Sequence, residues 1–314
     1  MKGLLLAIVA LLASVQTPHP EAPKPAEIGE QHYRIYRGDG TAATLDEVLA
    51  ASRAATVTFL GEPHDDPVAH YVEEQILRRT WDSRLALSLE MFERDVQYVV
   101  DEYLAGLISE ANLIASARAW KNYATDYRPL VEFAKEKGMV VIAANAPRRY
   151  VDRVSHLGAA SLDQIGAEGR RFLPPLPYAM ASDDYKSRFV RAMQEHHSPS
   201  GSHSPESAAR SLEAQSLWDA SMAYSIAEFL TAHPDSRVLQ VNGSFHTAQH
   251  LGTVEQLLRS CPHTSILVVT IVSAKSFPAF DAASMSGEGN FVIVTDPTVP
   301  RSFNAPGART DGEK

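Results

Sequence analysis

The chain has 314 residues, of which 45% are hydrophobic and 21% are charged, a balance that is typical of a folded globular protein. Its formal net charge of −9 at pH 7 argues against a protein that coats nucleic acid, so we expect no nucleic-acid partner. The only cysteine is Cys261, so no intramolecular disulfide can form and a large hydrophobic core must stabilise the fold.

The N-terminus has the pattern of a secretory signal. A short basic start precedes the apolar run GLLLAIVALLA at 3–13, which is too short to span a membrane as a stable helix. Small residues follow the run, so residues 1–16 are predicted to be a cleaved signal peptide. No cysteine directly follows the run, so we expect no bacterial lipoprotein anchor. We therefore expect a periplasmic or secreted protein with no transmembrane segment in the mature chain.

Residues 45–299 have the pattern of one α/β domain, preceded by a linker and lead-in at 17–44 and followed by a disordered tail at 300–314. Short, β-branched and nearly continuous apolar runs predict strands that are covered on both faces. These runs are 55–60, 85–92, 139–145, 237–242, 265–272 and 290–295. Helical patterns separate them, so we predict a mostly parallel central sheet flanked by helices.

Helix signals and one irregular segment lie between the predicted strands. Asp66 is placed to cap a helix that begins at Pro67, and a longer helix is predicted over 205–232. The segment 160–206 is predicted to be a helical insertion that contains a loop rich in serine, proline and histidine.

Polar residues fall at the ends of four predicted strands. They are Glu62, His64, Glu90, Asn145 and His246. In parallel α/β sheets, ligands bind in the crevice beyond the carboxyl ends of the strands. Each of these side chains can ligate a metal, transfer a proton or donate a hydrogen bond, so they are the candidate catalytic residues.

Local geometry supports a site at Glu62 and His64. The residue before a proline is extended, so these two side chains, two residues apart, are expected on one side of the chain. Gly61 lets a ligand or a neighbouring backbone come close. The same pattern also fits a turn whose imidazole is satisfied locally, and Asn145 alone fits a turn residue. A third interpretation keeps the whole polar group for structure only.

Other polar and aromatic residues leave alternatives open. His246 and His250 lie four residues apart, but HTAQH lacks the glutamate that metalloproteases place after the first histidine, so His246 alone is favoured as functional. Asp219 fits either a site residue or a surface acid. Trp120, Tyr123 and Tyr127 fit the core or the wall of a pocket better than chemistry.

Six different segments, taken in order along the chain, form a recognisable pattern. They are GEPHDD (61–66), LEMFERD (89–95), WKNYATDYRPLVEFAK (120–135), VVIAANAPRRYV (140–151), WDASMAYSI (218–226) and VNGSFHT (241–247). Together they resemble the ChaN-like haem-binding uptake family, which is similar to the Tiki metalloproteases and the erythromycin esterases. The resemblance covers roughly residues 45–275 and implies an α/β domain whose site lies at the strand ends.

The Tiki and esterase branches imply hydrolysis. There, the residues that match Glu62, His64, Glu90 and His246 carry catalysis or bind a metal, so these four are also the candidate ligands of a divalent metal ion. In such a hydrolase, His64 or Glu62 would activate water, or bind the metal that does so. Glu90 would hold the imidazole or share the metal. Asn145 or His246 would stabilise the developing oxyanion.

The ChaN branch implies a bacterial envelope protein linked to haem and iron uptake. Its members hold haem noncovalently through tyrosine and histidine side chains, with two subunits paired around it. Tyr178, Tyr185, His196 and His197 are haem-ligand candidates by residue type. The chain departs from this branch in lacking the lipoprotein cysteine. Haem binding, with a homodimer, is the first functional hypothesis, and a metal-dependent hydrolase is the alternative.

Overall fold

The computed structural model describes residues 28–195 and 204–302, and in that part of the chain eight strands form one sheet. The strands are β1 Tyr33–Arg37, β2 Ala42–Ala43, β3 Val57–Glu62, β4 Leu85–Glu93, β5 Val141–Asn145, β6 Arg237–Gly243, β7 Ile266–Ser273 and β8 Phe291–Thr295. All six predicted strands are confirmed, with ends that differ by no more than two residues.

The order of the strands in the sheet is β2-β1-β8-β7-β3-β6-β4-β5. Every neighbouring pair from β8 to β5 is parallel, whereas β1 is antiparallel to both β2 and β8. The predicted α/β class with a mostly parallel sheet is therefore confirmed. β6 lies between β3 and β4 although it follows them by more than a hundred residues in the chain.

Helices connect the strands. They are α1 Leu45–Ala54, α2 Pro67–Thr80, α3 Gln97–Leu104, α4 Glu110–Ser116, α5 Arg128–Lys137, α6 Arg148–Leu157, α7 Ala167–Arg170, α8 Asp183–Glu195, α9 Pro205–Ala232, α10 Thr253–Ser260 and α11 Ala282–Met285. α2 begins as predicted, because the Asp66 side chain accepts hydrogen bonds from the backbone of Val68 and Ala69. A π-helical turn, Tyr123–Tyr127, precedes α5, and such turns are frequent at functional sites.

Each face of the sheet has its own hydrophobic core. In β3, Leu60 belongs to the same core as Val72 and Ile76 of α2. The preceding residue, Phe59, belongs to the core on the opposite face, together with Met222 of α9. All five side chains are fully buried. Burial on both faces explains why the strands are continuous apolar runs and do not alternate with polar residues.

Residues beyond the predicted domain limits also join the fold. β1 and β2 lie within the predicted lead-in, 17–44, and β1 pairs with β8. At the other end, Arg301 and Ser302 of the predicted tail contact the domain. Arg301 Nη1 lies 3.3 Å from Asp65 Oδ1, and Ser302 Oγ donates to Asp126 Oδ2 at 2.6 Å.

Four predicted segments fall partly or wholly outside the described residues. They are the signal peptide, residues 17–27 of the linker, residues 196–203 of the serine- and histidine-rich loop and residues 303–314 of the tail. The described part of the predicted insertion contains α7 and α8. None of the helices in the described ranges is long and apolar enough to cross a membrane.

β5 is the last strand at one edge of the sheet, and a side chain covers part of this edge. Gln97 of α3 donates from Nε2 to the backbone oxygen of Val141 at 2.8 Å and accepts from the backbone nitrogen of Ala143 at 2.7 Å. Its amide group thereby takes the place of a neighbouring strand over two residues.

Candidate functional site

Four polar strand ends meet at one edge of the sheet. β3, β6, β4 and β5 are adjacent and parallel, so their carboxyl ends lie side by side. The residues at these ends are Glu62 and His64 at β3, Glu90 in β4, Asn145 in β5 and His246 after β6. The structure therefore brings together all five residues that the sequence predicts as catalytic.

Glu62 is a buried carboxylate, 2% exposed, that three side chains approach. The hydroxyl of Tyr127 donates to Oε1, and His64 Nδ1 lies 2.9 Å from the same oxygen. His70 Nδ1 lies 3.0 Å from Oε2. Burial alone would raise the pKa of Glu62, but the charge of His70 and the hydrogen bonds of both histidines lower it. Glu62 is thus an ionised group in the protein interior.

The backbone and the ring of His64 are held by neighbouring side chains. Asn122 Nδ2 donates to the backbone oxygen of His64 at 2.7 Å, and His70 Nε2 lies 3.1 Å from the same oxygen. The ring of Trp120 stands edge-on to the imidazole, with 4.7 Å between the ring centroids. These contacts orient the imidazole so that Nε2 is left to meet a ligand or a second carboxylate.

Glu90 lies between two imidazoles. His64 Nε2 is 4.0 Å from Glu90 Oε2, and His246 Nε2 is 3.6 Å from Glu90 Oε1. The backbone nitrogen of Gly243 donates to Oε2 at 2.7 Å. A Cβ atom at position 243 would lie only 2.7 Å from His64 Nε2, so this close approach requires a glycine.

His246 is backed by a second acid. Its Nδ1 lies 2.8 Å from Asp219 Oδ1, which also accepts a hydrogen bond from Thr253 Oγ1 at 2.8 Å. Each imidazole therefore has an acid at Nδ1 and the Glu90 carboxylate near Nε2. We call this arrangement the acid–histidine row, and it consists of Glu62, His64, Glu90, His246 and Asp219.

Charges alternate along the acid–histidine row. Burial alone would raise the pKa of Glu90, but the charges of His246 and His64 lower it to about 2. Burial alone would lower the pKa of His246, but Glu90 and Asp219 raise it to about 10. The pKa of His64 is also raised, because its hydrogen bond to Glu62 and the charge of Glu90 outweigh burial. Protonated imidazoles beside ionised glutamates can donate a proton or stabilise negative charge on a ligand.

A cavity of about 460 Å³ opens beside the row. It is lined by His64, Glu90, Met91, Glu93, Arg118, Trp120, Asn145, Ala146, Arg148 and Trp218. The side chain of His64 is 37% exposed, so a ligand in the cavity can reach it. Asn145 is almost buried and its Oδ1 accepts a hydrogen bond from the backbone of Ala146 at 2.9 Å. We call this space the strand-end cavity.

A compact group of potential metal ligands lies behind the row. Among the described residues, Glu62, His70 and Glu73 form a group whose donor atoms all lie within 4.8 Å of one another. Burial and the Glu62 carboxylate raise the pKa of Glu73, whereas the carboxylates around His70 raise its pKa against the effect of burial. The predicted metal ligands are Glu62, His64, Glu90 and His246, and these four do not form such a group.

A second cavity, of about 680 Å³, lies between α9, the end of α10 and the loop that precedes α8. Its walls are mainly prolines and alanines, and we call it the proline groove. Tyr178, Tyr224 and Cys261 also line it. The Tyr178 hydroxyl donates to the backbone oxygen of Glu213 at 2.8 Å, whereas the ring of Tyr224 lies 4.9 Å below the guanidinium of Arg94.

The sequence matches the model of a protein family described as haem-binding uptake, Tiki superfamily, ChaN, over residues 48–257. The match spans more than half of the chain and includes every member of the acid–histidine row. The chain belongs to the ChaN family. This confirms the resemblance carried by the six sequence segments. No curated protein matches the chain in sequence.

A solved ChaN structure has the same fold as this ChaN-family chain, and two further structures are more distantly similar. ChaN of Campylobacter jejuni, described as binding haem cofacially, has a TM-score of 0.62 and 16% identity, covering 86% of this chain and 100% of that one. An erythromycin esterase in its open conformation has a TM-score of 0.44 and 13% identity, covering 84% and 83%. A Bacillus cereus protein has a TM-score of 0.47 and 11% identity, covering 84% and 95%.

Two of the predicted haem ligands of this ChaN-family chain are enclosed. Tyr185 is fully buried, with its ring packed against Phe245 at 5.3 Å between centroids, so a porphyrin does not reach it in this arrangement. Tyr178 lines the proline groove, but its hydroxyl is already hydrogen-bonded. His196 and His197 lie outside the described residues.

The proline groove of the ChaN-family chain fits haem by the chemistry of its lining. Haem needs apolar walls, an iron ligand and a basic group near its propionates. Prolines and alanines supply the walls, and half-buried Tyr224, whose hydroxyl interacts with Glu228, supplies a phenol on the groove wall. Arg94, beside Tyr224, is the nearby basic group. The sequence does not single out Tyr224, because on a long helix nothing distinguishes it from an ordinary packing residue.

The side chains behind the strand ends were also not predicted from the sequence. His70 and Glu73 carried a usable signal, since a spacing of three places both on one side of the helix that follows the Gly-Glu-Pro-His motif. No signal in the sequence pointed to Asn122. Tyr127 and Asp219 were left open by the sequence, and the structure places both in contact with site residues.

Proposed function

We propose that this chain is an exported haem-binding protein that serves haem or iron uptake in bacteria. Its membership of the ChaN family is the observation that carries the proposal. The proline groove supports it, because the groove is large and apolar and contains Tyr224. Haem bound there supplies an iron centre, and this chain contributes noncovalent binding and an oxygen ligand.

Tyr224 is the residue that would hold the iron. Its ring lies beneath Arg94, and Arg94 Nη2 also donates to Glu228 Oε2 at 2.6 Å. Burial and the hydrogen bond to Glu228 raise the pKa of Tyr224, and the charge of Arg94 offsets this only in part. The Arg94 guanidinium is also placed to pair with a propionate. Cys261 lines the same groove and is partly accessible.

Export and pairing complete the proposal. The basic start and the apolar run at 3–13 support export. The Campylobacter jejuni relative is described as binding haem cofacially, so we propose that two copies of this chain pair around haem. Gel filtration of the mature chain tests this, because a doubling of mass on addition of haem is expected and an unchanged mass contradicts pairing.

Haem titration into the purified mature chain, followed by Soret absorbance, tests haem binding. We expect saturable binding that Tyr224→Phe weakens by at least about tenfold, because the iron loses its ligand. Tyr98→Phe is the matched control, since Tyr98 is 65% exposed and lies outside the groove. The absence of saturable binding to the wild-type chain contradicts the function, and equal weakening in both variants contradicts the assignment of Tyr224.

The acid–histidine row favours a second candidate function, hydrolysis of an ester or amide. In this mechanism the Glu90 carboxylate takes a proton from water while the water oxygen attacks the carbonyl carbon. The imidazolium of His64 stabilises the oxyanion and then donates its Nε2 proton to the leaving group. The structure favours Glu90 over Glu62 as the base, because Glu62 is enclosed by Tyr127, His64 and His70.

Turnover of 4-nitrophenyl acetate tests this candidate. Glu90→Gln is expected to lower turnover by about 10²-fold or more, because it removes the general base. Glu102→Gln is the matched control, because Glu102 is an exposed residue of α3. Tyr224→Phe should leave turnover unchanged, while Glu90→Gln should leave the Soret titration unchanged, so the two functions are separable. Equal turnover in the wild-type chain and Glu90→Gln excludes this mechanism.

A further inference from the structure

His70 faces two carboxylates at a single nitrogen atom. His70 Nδ1 lies 3.0 Å from Glu62 Oε2 and 3.1 Å from Glu73 Oε2. His70 and Glu73 lie three residues apart on α2, and Glu62 ends the preceding strand. His70 is 5% exposed, Glu73 is 0% exposed and Glu62 is 2% exposed, so water does not stabilise their charges.

The single proton on Nδ1 of His70 cannot satisfy both carboxylates. Nδ1 carries at most one hydrogen, and its geometry pairs it with Glu73 Oε2. Glu62 Oε2 has no hydrogen-bond partner among the described residues, although it lies next to Nδ1. Glu73 Oε1 likewise has none in the described part of the chain. A buried carboxylate oxygen without a partner is costly, and a cation among these atoms removes that cost.

The other nitrogen of His70 is placed as in a metal ligand. Nε2 lies 3.1 Å from the backbone oxygen of His64 and 3.5 Å from Asp126 Oδ2. Histidine ligands of metals almost always donate their second N–H to a carbonyl or a carboxylate, which fixes the tautomer. With the hydrogen on Nε2, Nδ1 presents its lone pair to the space between the two glutamates.

We propose that Glu62, His70 and Glu73 bind one divalent transition-metal ion, with Zn²⁺ as the tightest-binding common candidate. One imidazole nitrogen and two carboxylate oxygens are suitable zinc donors, and donor atoms about 3 Å apart match bonds of about 2.0–2.2 Å. Two carboxylates balance the charge of the ion. The ion would fix Glu62 from behind, so it is a buried structural site that is independent of haem in the proline groove.

Metal analysis of the untagged full-length chain tests the site. The chain is unfolded in guanidinium chloride with EDTA, refolded with or without Zn²⁺, separated by gel filtration and measured by inductively coupled plasma mass spectrometry. We expect about one zinc per refolded chain and a raised thermal midpoint, because an ion that binds only the folded state stabilises it. Less than about a tenth of an equivalent in correctly folded wild-type chain overturns the proposal.

Two substitutions locate the ion. Glu73→Gln keeps the size and hydrogen-bonding capacity of the side chain and is expected to reduce retained zinc at least about tenfold. His263→Gln is the control, because His263 is exposed and lies outside the proposed metal site. Retention by Glu73→Gln, or loss in His263→Gln as complete as in Glu73→Gln, overturns the assignment. The wild-type measurement stands even where a variant does not fold, and neither result depends on haem binding.

Discussion

His246 Nδ1 lies 2.8 Å from Asp219 Oδ1, so the buried imidazole after β6 is paired with a carboxylate of helix α9. The same relationship occurs on the other side of Glu90, where His64 Nδ1 lies 2.9 Å from Glu62 Oε1. Two acid-backed imidazoles thus flank one central carboxylate. This arrangement concentrates charge in a buried site, and it therefore makes the stability of the fold depend on pH.

Glu90 and His246 together are expected to stabilise the fold most between about pH 4.5 and 6.5. The pKa of His246 is raised from 6.5 to about 10, so its stabilising charge is complete below pH 6.5 and is lost as the pH rises through 10. The pKa of Glu90 is lowered from 4.5 to about 2, so its contribution is complete above pH 4.5 and is lost as the pH falls through 2.

The substitution His246→Gln should remove the alkaline part of this dependence. Near pH 6 we expect a loss of about 3–5 kcal/mol in the free energy of unfolding, because Glu90 and Asp219 lose their common partner. Near pH 10 the loss should be much smaller, since about half of the wild-type imidazole is then neutral and most of its stabilising contribution is already lost. Urea unfolding at both pH values measures it, with exposed His263→Gln as control. A loss that does not change with pH contradicts the assigned charge.

Two buried tyrosines next to the site should respond differently to loss of the hydroxyl. Tyr127 donates to ionised Glu62, so Tyr127→Phe should lower the free energy of unfolding by about 1.5–3 kcal/mol. The hydroxyl of Tyr123 has no hydrogen-bond partner in the described structure, so Tyr123→Phe should be neutral or stabilising. Both rings are 1% exposed, so the comparison isolates the hydrogen bond. Equal effects in denaturant titrations would show that Tyr127 contributes only packing.

Gly243 controls the distance between His64 and the neighbouring strand. In Gly243→Ala, the new Cβ would lie 2.7 Å from His64 Nε2, so the imidazole must move. We expect changed NMR shifts and a changed pKa of His64, together with at least about tenfold lower esterase turnover if the row is catalytic. Gly166→Ala is the control, because a Cβ there meets nothing within 4 Å. Unchanged His64 resonances would contradict the close approach.

The edge of the sheet depends on one amide side chain. Gln97→Leu leaves the backbone oxygen of Val141 and the backbone nitrogen of Ala143 without their partner. We expect a loss of about 1–2 kcal/mol in the free energy of unfolding and increased aggregation, because an unpaired edge strand can pair with another chain. Light scattering and urea unfolding measure the two effects. The surface variant Gln194→Leu is the control, and equal aggregation in both variants would assign the effect to hydrophobicity alone.

Much of the fold could be predicted because its signals act over short distances. Asp66 and Pro67 start α2 through contacts within three residues, and apolar runs form strands wherever both faces are covered. The strand order could not be predicted in this way. β6 enters between β3 and β4, and that insertion is what places His246 beside Glu90.

The predicted haem ligands could not be chosen reliably from the sequence. Tyr178 and Tyr185 were selected by residue type, yet the first is hydrogen-bonded along the groove wall and the second is fully buried. Tyr224 lines the proline groove because its side of α9 faces the proline-containing loop that precedes α8. Accessibility is a property of packing between distant segments, so residue type alone does not supply it.

The sequence by itself determined the strands, the helix starts and the polar residues at the strand ends, because apolar periodicity and capping depend on near neighbours. The tertiary structure decided how those polar residues are paired. Glu62 meets Tyr127 across 65 residues, and Glu90 meets Gly243 across 153. A buried charge is stable only with a partner, and here the partners come from distant parts of the chain, so only the folded arrangement reveals which residues make up the site.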